Sequence, residues 1–462
     1  MEATESPITQ HHLIAALEEG DEASARGMVP ELHAADLAAA YESLGGDGAA
    51  VLLSLIPEER LADFLTQLPL TDAEEILVAL PDDRLAKVLD DIPDDILVDV
   101  LQEMPGAYRG HAFHLLSENR RKSARELLKF PDDSAGGRMT TAFASVREDL
   151  TIREAIEALR SIAEETELLA RIYVVDEEGL LLGKIRLRDL TFNRRSTHIG
   201  QLNDHDTRSV LASSDQEKAV RMMMKYDMLA LPVLDEDGRL LGVITHDDAL
   251  DIQQEEHTED IERQSGISGD NTDETYLNTT VFNQVGRRIG WIVSLAFIGL
   301  ISGSVMYSYQ GQISSLFALT IYMPMIVAAG GNTGGQASTM VVRAMSLGEL
   351  DAGSVLRVAW KELRIGLIMG CAVALAMLGQ IYLLRPHSIQ VSPDLLGGFA
   401  LTVCLALLIQ MTASTLIGAL LPLAARAVKL DPAVIASPAI TTIVDATGLL
   451  IYLNLAKAIL PL

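Results

Sequence analysis

The stretch PMIVAAGGNTGGQASTMVVRAM, residues 324–345, decides the fold. It combines four glycines, two amides and several hydroxyl groups within an apolar run. Small residues let neighbouring helices approach closely, so packing alone would explain the glycines. Asn332 and Gln336, however, are four residues apart and lie on one face of a helix. The stretch therefore predicts a tightly packed membrane helix with a polar face.

Five apolar segments, this stretch among them, are each long enough to span a hydrocarbon core of about 30 Å. They lie near residues 288–309, 313–343, 362–384, 395–424 and 433–460. Lys and Arg cluster in the connections on one side, whereas the opposite connections carry only Arg385. Positively charged connections stay in the cytosol, and the polar start of the chain lacks an apolar signal segment. We therefore expect a multi-pass protein of the cell (inner) membrane, with its N-terminus cytoplasmic and its C-terminus on the outer side.

The last apolar segment contains SPAITTIVDATGLLIY, residues 437–452, in which Asp445 is the only deep acidic residue. An intramembrane carboxylate is costly and marks a functional site by default. A homodimer with this segment on its twofold axis would bring two such carboxylates together. Mg²⁺ prefers octahedral oxygen ligands and keeps several waters, so carboxylates and amide oxygens could hold the hydrated ion there. Glu362, next to Lys361, is compatible with a local ion pair or with a role in this path.

The first part of the chain is strongly acidic. Residues 1–281 contain 58 Asp and Glu against 26 Lys and Arg, a net charge of −32, whereas residues 282–462 carry +4. Such a surface repels nucleic acid and suits cations. Cys371 and Cys404 both lie in apolar runs, so the acidic half has no thiolate metal site. Because the sequence has no nucleophile–base pattern, P-loop or dinucleotide fingerprint, we do not expect an enzyme.

A helical repeat opens the acidic half. LIPEERLADFL, LPLTDAEEILVAL, LPDDRLAKVL and IPDDILVDVL recur between residues 55 and 101. In each, proline stands near a helix start, where its missing N–H costs nothing, and an acidic residue in the first turn complements the helix dipole. The repeat predicts a superhelix of short α-helices.

Two copies of one α/β unit follow. RIYVVDEEGLLLGKIRLRDL (171–190) and LALPVLDEDGRLLGVITHDDAL (229–250) each predict a strand, a turn ending in glycine, a second strand and a helix start. An amphipathic helix precedes each copy. This duplication is similar to a tandem pair of CBS domains, a regulatory module.

A highly acidic helix, ALDIQQEEHTEDIERQ (249–264), connects these units to the apolar segments. Glu255 lies four residues before Glu259, and Glu256 four before Asp260. Like charges at this spacing destabilise a helix by about 0.2–0.5 kcal/mol per pair. Either the face is simply solvated, or divalent cations bridge its carboxylates to facing domains. Further acidic positions that could share such ions are Asp95, Asp99, Asp215, Glu217, Asp227, Asp248 and Asp251.

The order of these parts resembles the MgtE family of Mg²⁺ channels and transporters. So do the motifs GGNTGGQ (330–336), LDPAVIASP (430–438) and VDATGLLIYL (444–453). The resemblance implies a multidomain fold class: an α-helical superhelix N domain (1–132), an α/β tandem CBS pair (133–248), an acidic connecting (plug) helix with its linker (249–281), and a five-helix transmembrane domain (282–462).

In functional terms, the resemblance implies a homodimeric Mg²⁺ channel in the lipid bilayer. Asp445 would hold hydrated Mg²⁺, and Asn332 would line the same path. Ser437 stands where some members have Asn, so the resemblance does not carry a ligand role over to that position. Regulatory Mg²⁺ would bind between the cytosolic domains at the acidic positions named above, and Asp431 would contact the plug helix. High cytosolic Mg²⁺ would then compact these domains and close the path.

The resemblance also implies that ATP binds in the CBS cleft, with Tyr173, Arg188 and Asp189 contacting its base and ribose. Asp189 could instead simply start a helix. Two other functions stay open on the sequence alone. One is transport of Co²⁺, Ni²⁺ or Mn²⁺, since oxygen ligands discriminate poorly among octahedral ions. The other is a membrane-anchored nucleotide receptor without transport.

Overall fold

The computed structural model describes residues 9–160, 162, 169–268, 279–350, 352–384, 391–428, 430, 432 and 438–461. The chain forms two compact units. The main part of the first ends at Glu256, and the second begins at His257.

Ten short α-helices form the described start of the first unit, from residue 9 onwards. Pro69, Pro81 and Pro93 each directly precede one of them, as the repeat predicts, and Pro105 directly precedes the next. The helices are α1 (Gln10–Glu18), α2 (Glu22–Met28), α3 (Ala34–Ser43), α4 (Gly46–Leu55), α5 (Leu61–Leu65), α6 (Leu70–Ala79), α7 (Asp82–Asp91), α8 (Asp94–Glu103), α9 (Gly106–Leu115) and α10 (Glu118–Leu127). From α5 onwards each helix packs on the next but one, which is the packing of a superhelix and confirms the predicted N domain.

Two three-stranded sheets follow, each with its first strand parallel and its third antiparallel to the middle strand. The first CBS copy contains β1 (Ser145–Arg147), α11 (Ile152–Arg160), β2 (Arg171–Val175), β3 (Leu181–Arg186) and α12 (Leu187–Phe192). The second contains β4 (Val210–Leu211), α13 (Gln216–Tyr226), β5 (Ala230–Leu234) and β6 (Leu240–Thr245). The turn glycines Gly179 and Gly238 have φ of 84° and 88°. Each also accepts a hydrogen bond from the other copy, and this reciprocal contact confirms the CBS pair.

Helix α14 (His246–Gln264) continues from β6, and a helical bundle follows. The bundle consists of α15 (Val281–Ser308), α16 (Gln310–Ser315), α17 (Ala318–Ser346), α18 (Val355–Gly379), α19 (Pro393–Ala427) and α20 (Pro438–Ile459). Helix α19 packs against α17, α18 and α20. Helix α15 packs mainly on α20 and has no buried residue.

Four helices among the described residues are long and apolar enough to cross a membrane: Val281–Ser308, Val355–Leu383, Pro393–Ala427 and Ile440–Ile459. Helix α17 has 29 residues and at about 1.5 Å per residue is also long enough. Its glycines, amides and hydroxyl groups lower its hydropathy below that of the other four. The prediction of a C-terminal domain of about five long helices is thus confirmed, with the most polar of them inside the bundle.

Candidate functional site

Glycines bring α17 and α19 into backbone contact. A Cβ atom at Gly418 would overlap the carbonyl oxygen of Gly334. A Cβ atom at Gly334 would in turn lie 3.1 Å from Ile440 and 3.2 Å from the carbonyl oxygen of Ser414. Only a hydrogen atom fits at Gly418, and a methyl group at Gly334 would be tight, so the glycine-rich stretch does serve helix packing.

The same stretch lies beside the intramembrane carboxylate. A Cβ atom built on Gly331 would be 3.8 Å from Oδ1 of Asp445 and 3.4 Å from the methyl group of Thr441. Asp445 is half-buried, whereas Asn332, Gln336 and Thr441 are exposed on the single chain. Packing and a polar face are therefore both properties of α17, on different sides of one helix.

Glu362 is a second carboxylate within the bundle, on α18, and is 8% exposed. Its backbone carbonyl accepts a hydrogen bond from Thr415 Oγ1 at 3.2 Å. Within the described ranges it forms no salt bridge with Lys361. Lys361 still acts electrostatically on this carboxylate, so the local interaction and a role in the path both stay open predictions for Glu362.

Gln410 on α19 is a residue that the sequence prediction missed. Its side chain is fully buried, and Nε2 donates to the backbone carbonyl of Val444 at 2.8 Å. Val444 directly precedes Asp445 on α20. The available signal was that Gln410 is the only side-chain amide in the sequence of α19, and an amide inside a spanning helix needs an explanation.

In the first unit, Arg138 joins three elements that the sequence predicted to be bridged by ions. Its guanidinium donates to the Glu255 carboxylate on α14, and Nη1 lies 3.7 Å from Oδ2 of Asp99 on α8. Its Nε donates to Gln216 on α13 at 2.9 Å. Gln216 then donates to Glu256 at 2.6 Å. Asp99, Glu255 and Glu256 are thus brought together around a protein cation and an amide, neither of which the sequence prediction included.

The acidic residues around α13 are not brought together. Asp215 caps the start of the helix, accepting from the backbone N–H of Glu217 at 2.8 Å. Asp227 ends the same helix in the left-handed conformation, with φ of 50°. Eleven residues lie between Asp215 and Asp227, so the two caps are roughly 18 Å apart along the helix axis at 1.5 Å per residue. The Glu217 side chain pairs with Arg221 on the surface at 2.5 Å.

The other acidic positions are distributed along α14 and α8. Asp248 accepts from the backbone N–H of Thr245 at 3.1 Å at the start of α14, and burial raises the pKa of its carboxyl group. Asp251 is exposed, Asp260 is half-buried, and Glu259 pairs with Arg263. Asp95 belongs to α8, but its side chain and the whole of Asp431 lie outside the described residues. Among the described residues, no group of three or more His, Cys, Asp or Glu side chains is arranged to hold a metal ion.

In the second unit, the end of α14 is attached to the start of α15. Arg287 donates to Glu262, and its backbone carbonyl accepts from Ser268 N at 2.9 Å. Gly266 has φ of 71°, and a Cβ atom there would overlap the ring of Trp291. The connecting helix therefore makes direct polar and aromatic contacts with the first membrane span.

The three predicted nucleotide-binding residues occupy different environments. Tyr173 on β2 is 3% exposed and packs edge-on against Phe143 at 6.4 Å between ring centroids. Asp189 accepts hydrogen bonds from the backbone and side chain of Arg186, so it does cap α12. Burial opposes ionisation of Asp189, but these bonds keep the pKa of its carboxyl group below the usual value. Arg188 is exposed, with Nε 3.9 Å from Asp189 Oδ1.

A bundle with a carboxylate beside a glycine-rich helix, joined to a helical domain and a CBS pair, defines a membrane transport protein. The family model for a divalent cation transporter matches residues 323–455. The model for the MgtE intracellular N domain matches residues 32–133, and the CBS model matches residues 135–194 and 199–255.

Relatives of known name cover from about three quarters to almost the whole of the chain. The magnesium transporter MgtE of Thermus thermophilus is 35% identical over 96% of this chain and 97% of its own length. That of Bacillus subtilis is 32% identical over 73% of this chain and 72% of its own length. The crystal structure of the cytosolic domain of the Mg²⁺ channel MgtE in complex with ATP is 36% identical with a TM-score of 0.50, covering 53% of this chain and 99% of that one. The chain belongs to the MgtE family.

The glycine contacts give a stability prediction with a matched control. Gly418→Ala should lower the thermal stability of the detergent-purified protein by several degrees, because its methyl group would force α19 away from α17. Gly335→Ala should leave stability unchanged, since a Cβ atom there meets nothing within 4 Å. Equal melting temperatures for the two variants in a fluorescence-detected unfolding assay would contradict the packing described here.

Proposed function

We propose that the protein transports Mg²⁺ into the cell through a path in which Asp445 holds the hydrated ion, and that cytosolic Mg²⁺ closes this path. The observation that carries the proposal is the half-buried Asp445 carboxylate, which lies against Gly331 and borders the polar face of Asn332 and Gln336. Three relatives named as magnesium transporters support the choice of ion.

A homodimer completes the path in this proposal. The polar face of α17 and α20 is exposed on the single chain, where lipid would leave its amides and carboxylate without partners. A second copy facing it across a twofold axis would cover these groups and place two Asp445 carboxylates near one ion. Two carboxylates and amide oxygens suit Mg²⁺, which binds through its water shell. The charge distribution supports a cytoplasmic N-terminus and an outer C-terminus.

Asp445→Asn keeps the size of the side chain and removes its charge. We expect Mg²⁺ flux into proteoliposomes to fall to the background of empty vesicles, because the hydrated cation loses its counter-charge. Asp394→Asn, at the exposed start of α19, is the matched control and should transport normally. Flux of Co²⁺, Ni²⁺ and Mn²⁺ in the same vesicles tests the broader divalent transporter. Normal Mg²⁺ flux in a folded Asp445→Asn protein would remove Asp445 from the path.

Closure by cytosolic Mg²⁺ follows from the excess of negative charge in the first unit. Arg138 supplies one positive charge where α8, α13 and α14 meet, but residues 1–281 still carry −32 in total. Half-buried carboxylates such as Asp248, whose pKa burial raises, gain most from a nearby divalent ion. An arrangement that brings acidic elements together therefore binds Mg²⁺ better than a separated one, and Mg²⁺ shifts the equilibrium towards it.

The contact between α14 and α15 gives this change a route to the membrane domain. Arg287 lies at the start of the first span and is held by Glu262 near the end of the connecting helix. A displacement of α14 would therefore be passed to α15 directly. In this proposal α14 acts as the plug helix that closes the path.

Replacing Glu255, Glu256, Glu259 and Asp260 together by Ala tests the regulation. If bridging ions hold the closed state, this variant should still conduct at internal Mg²⁺ concentrations that close the wild type. If repulsion alone opposed closure, it should close at lower Mg²⁺. The matched control neutralises four exposed residues of the N domain, Glu18, Glu19, Glu22 and Glu31. Flux with internal Mg²⁺ varied distinguishes the outcomes, and an earlier closure of the α14 variant alone would refute bridging ions.

ATP binding in the CBS pair is a second proposal, favoured by the related cytosolic domain crystallised with ATP. Asp189 and Arg188 follow β3, and Arg188 is exposed and available to a ligand. The buried ring of Tyr173 would support the wall of the cleft from within the core and would not stand exposed to the base.

Titration calorimetry with ATP tests this second proposal. Asp189→Ala should weaken binding at least about tenfold, since a hydrogen bond to a charged group contributes about 1.5–3 kcal/mol. Glu178→Gln, in the exposed turn of the same CBS unit, should bind like the wild type. Absence of binding heat at millimolar ATP would exclude nucleotide regulation and, with it, the receptor function without transport.

A further inference from the structure

Gln410 is a buried amide at the junction of three helices. It lies on α19 with no exposed surface, inside a bundle where polar side chains are retained for a structural or functional reason. Two glycines make the space for it. A Cβ atom at Gly330 on α17 would overlap its Nε2, and one at Gly448 on α20 would lie 2.8 Å from the same atom. The amide therefore has a tightly defined position.

The orientation of the amide follows from its partner. Nε2 donates to the carbonyl oxygen of Val444 at 2.8 Å, and the reversed amide would place two oxygens against each other. The Val444 carbonyl also accepts from Thr447 Oγ1 at 3.1 Å within α20. Gln410 thus attaches α19 to the backbone of α20 at the residue before Asp445.

The remaining polar atom of this side chain does not contribute to packing. Oε1 is buried without a hydrogen-bond partner among the described residues, as is Oγ of Ser414 one turn later. An apolar side chain of similar size would fill the same space without leaving a buried acceptor unpaired. The hydrogen bond to the Val444 carbonyl is therefore the one favourable interaction that glutamine makes at this position and leucine would not.

We infer that Gln410 is a positioning residue, which sets the rotation and depth of α20 so that the Asp445 carboxylate faces Gly331. The chain of contacts runs from Gln410 to the Val444 carbonyl, and from Asp445 to Gly331 on α17, the neighbour of Gly330. A small shift of the α20 backbone at Val444 displaces the carboxylate of Asp445, the next residue. Gln410 therefore determines how well the path distinguishes Mg²⁺ from larger ions. This inference rests on the proposed function, since it takes Asp445 as the carboxylate of the path.

Gln410→Leu removes the bond and keeps the volume. We expect the Mg²⁺ concentration for half-maximal flux in proteoliposomes to rise about three- to tenfold, the effect of one hydrogen bond inside a bundle. The flux of Ca²⁺ relative to Mg²⁺ should rise as well, because Ca²⁺ accepts less regular oxygen geometry. Thr402→Val is the matched control, since Thr402 is equally buried on α19 but its hydroxyl bonds only within α19, to Gly398.

Gln410→Glu provides the rescue. At about pH 5.5 a buried glutamic acid is protonated and can donate to the Val444 carbonyl. The Mg²⁺ concentration for half-maximal flux of Gln410→Glu should then return to the wild-type value measured at the same pH. That of Gln410→Leu should stay higher than the wild-type value. A Gln410→Glu protein no closer to wild type than Gln410→Leu would overturn the inference. So would a Gln410→Leu protein with wild-type half-saturation and ion preference.

Flux through Asp445→Asn in the same vesicles distinguishes failure of the proposed path from failure of the positioning role of Gln410. If Asp445→Asn transports normally, the proposed path itself is wrong, whatever Gln410 does. If Asp445→Asn is inactive while Gln410→Leu behaves as wild type, the path stands and only the positioning role fails.

Discussion

A membrane interior offers no water to an unpaired polar group, so the protein must satisfy that group itself or place it on an aqueous path. The contacts among α17, α19 and α20 depend on this constraint. Gly334 and Gly418 bring α17 and α19 into backbone contact. Gln410 on α19 then donates a hydrogen bond to the Val444 carbonyl on α20. Asp445 is the group that these contacts leave half-buried on the polar face. Close packing and the proposed ion site are therefore consequences of one arrangement.

In the acidic half, the groups that need partners are carboxylates in water. Mutual repulsion among carboxylates opposes compaction, and the first unit offsets part of it with its own donors. Arg138 and Gln216 stand where α8, α13 and α14 converge, so the acidic connecting helix is not merely a solvated face at Glu255 and Glu256. The large excess of negative charge that remains is what makes this half a sensor of cations in the proposed mechanism.

The connecting helix α14 has contacts both with residues of the acidic half and with the first membrane span. Glu255 and Glu256 at its middle are bound by Arg138 and Gln216. Its last turn is bound to α15 through Glu262 and Arg287. Gly266 then lets the chain turn closely against Trp291. In the proposed mechanism, a change in cation binding near Glu255 and Glu256 is passed along α14 to α15.

Much of the fold was predictable because its signals lie in consecutive residues: the proline-led helical repeat, the duplicated strand–turn–strand unit and the five segments of membrane-spanning length. Asp445 was predictable for the same reason, as a lone carboxylate in an apolar run. The pairings were not, because they join residues far apart in the chain, such as Gln410 with Val444, 34 residues on, and Arg138 with Glu255, 117 residues on. Asp215 and Asp227 show the converse: near in sequence, they stand at opposite ends of one helix. The sequence by itself determined the elements and the types of chemistry they carry, whereas only tertiary packing decided which side chains meet, since that depends on how separate helices and strands come together.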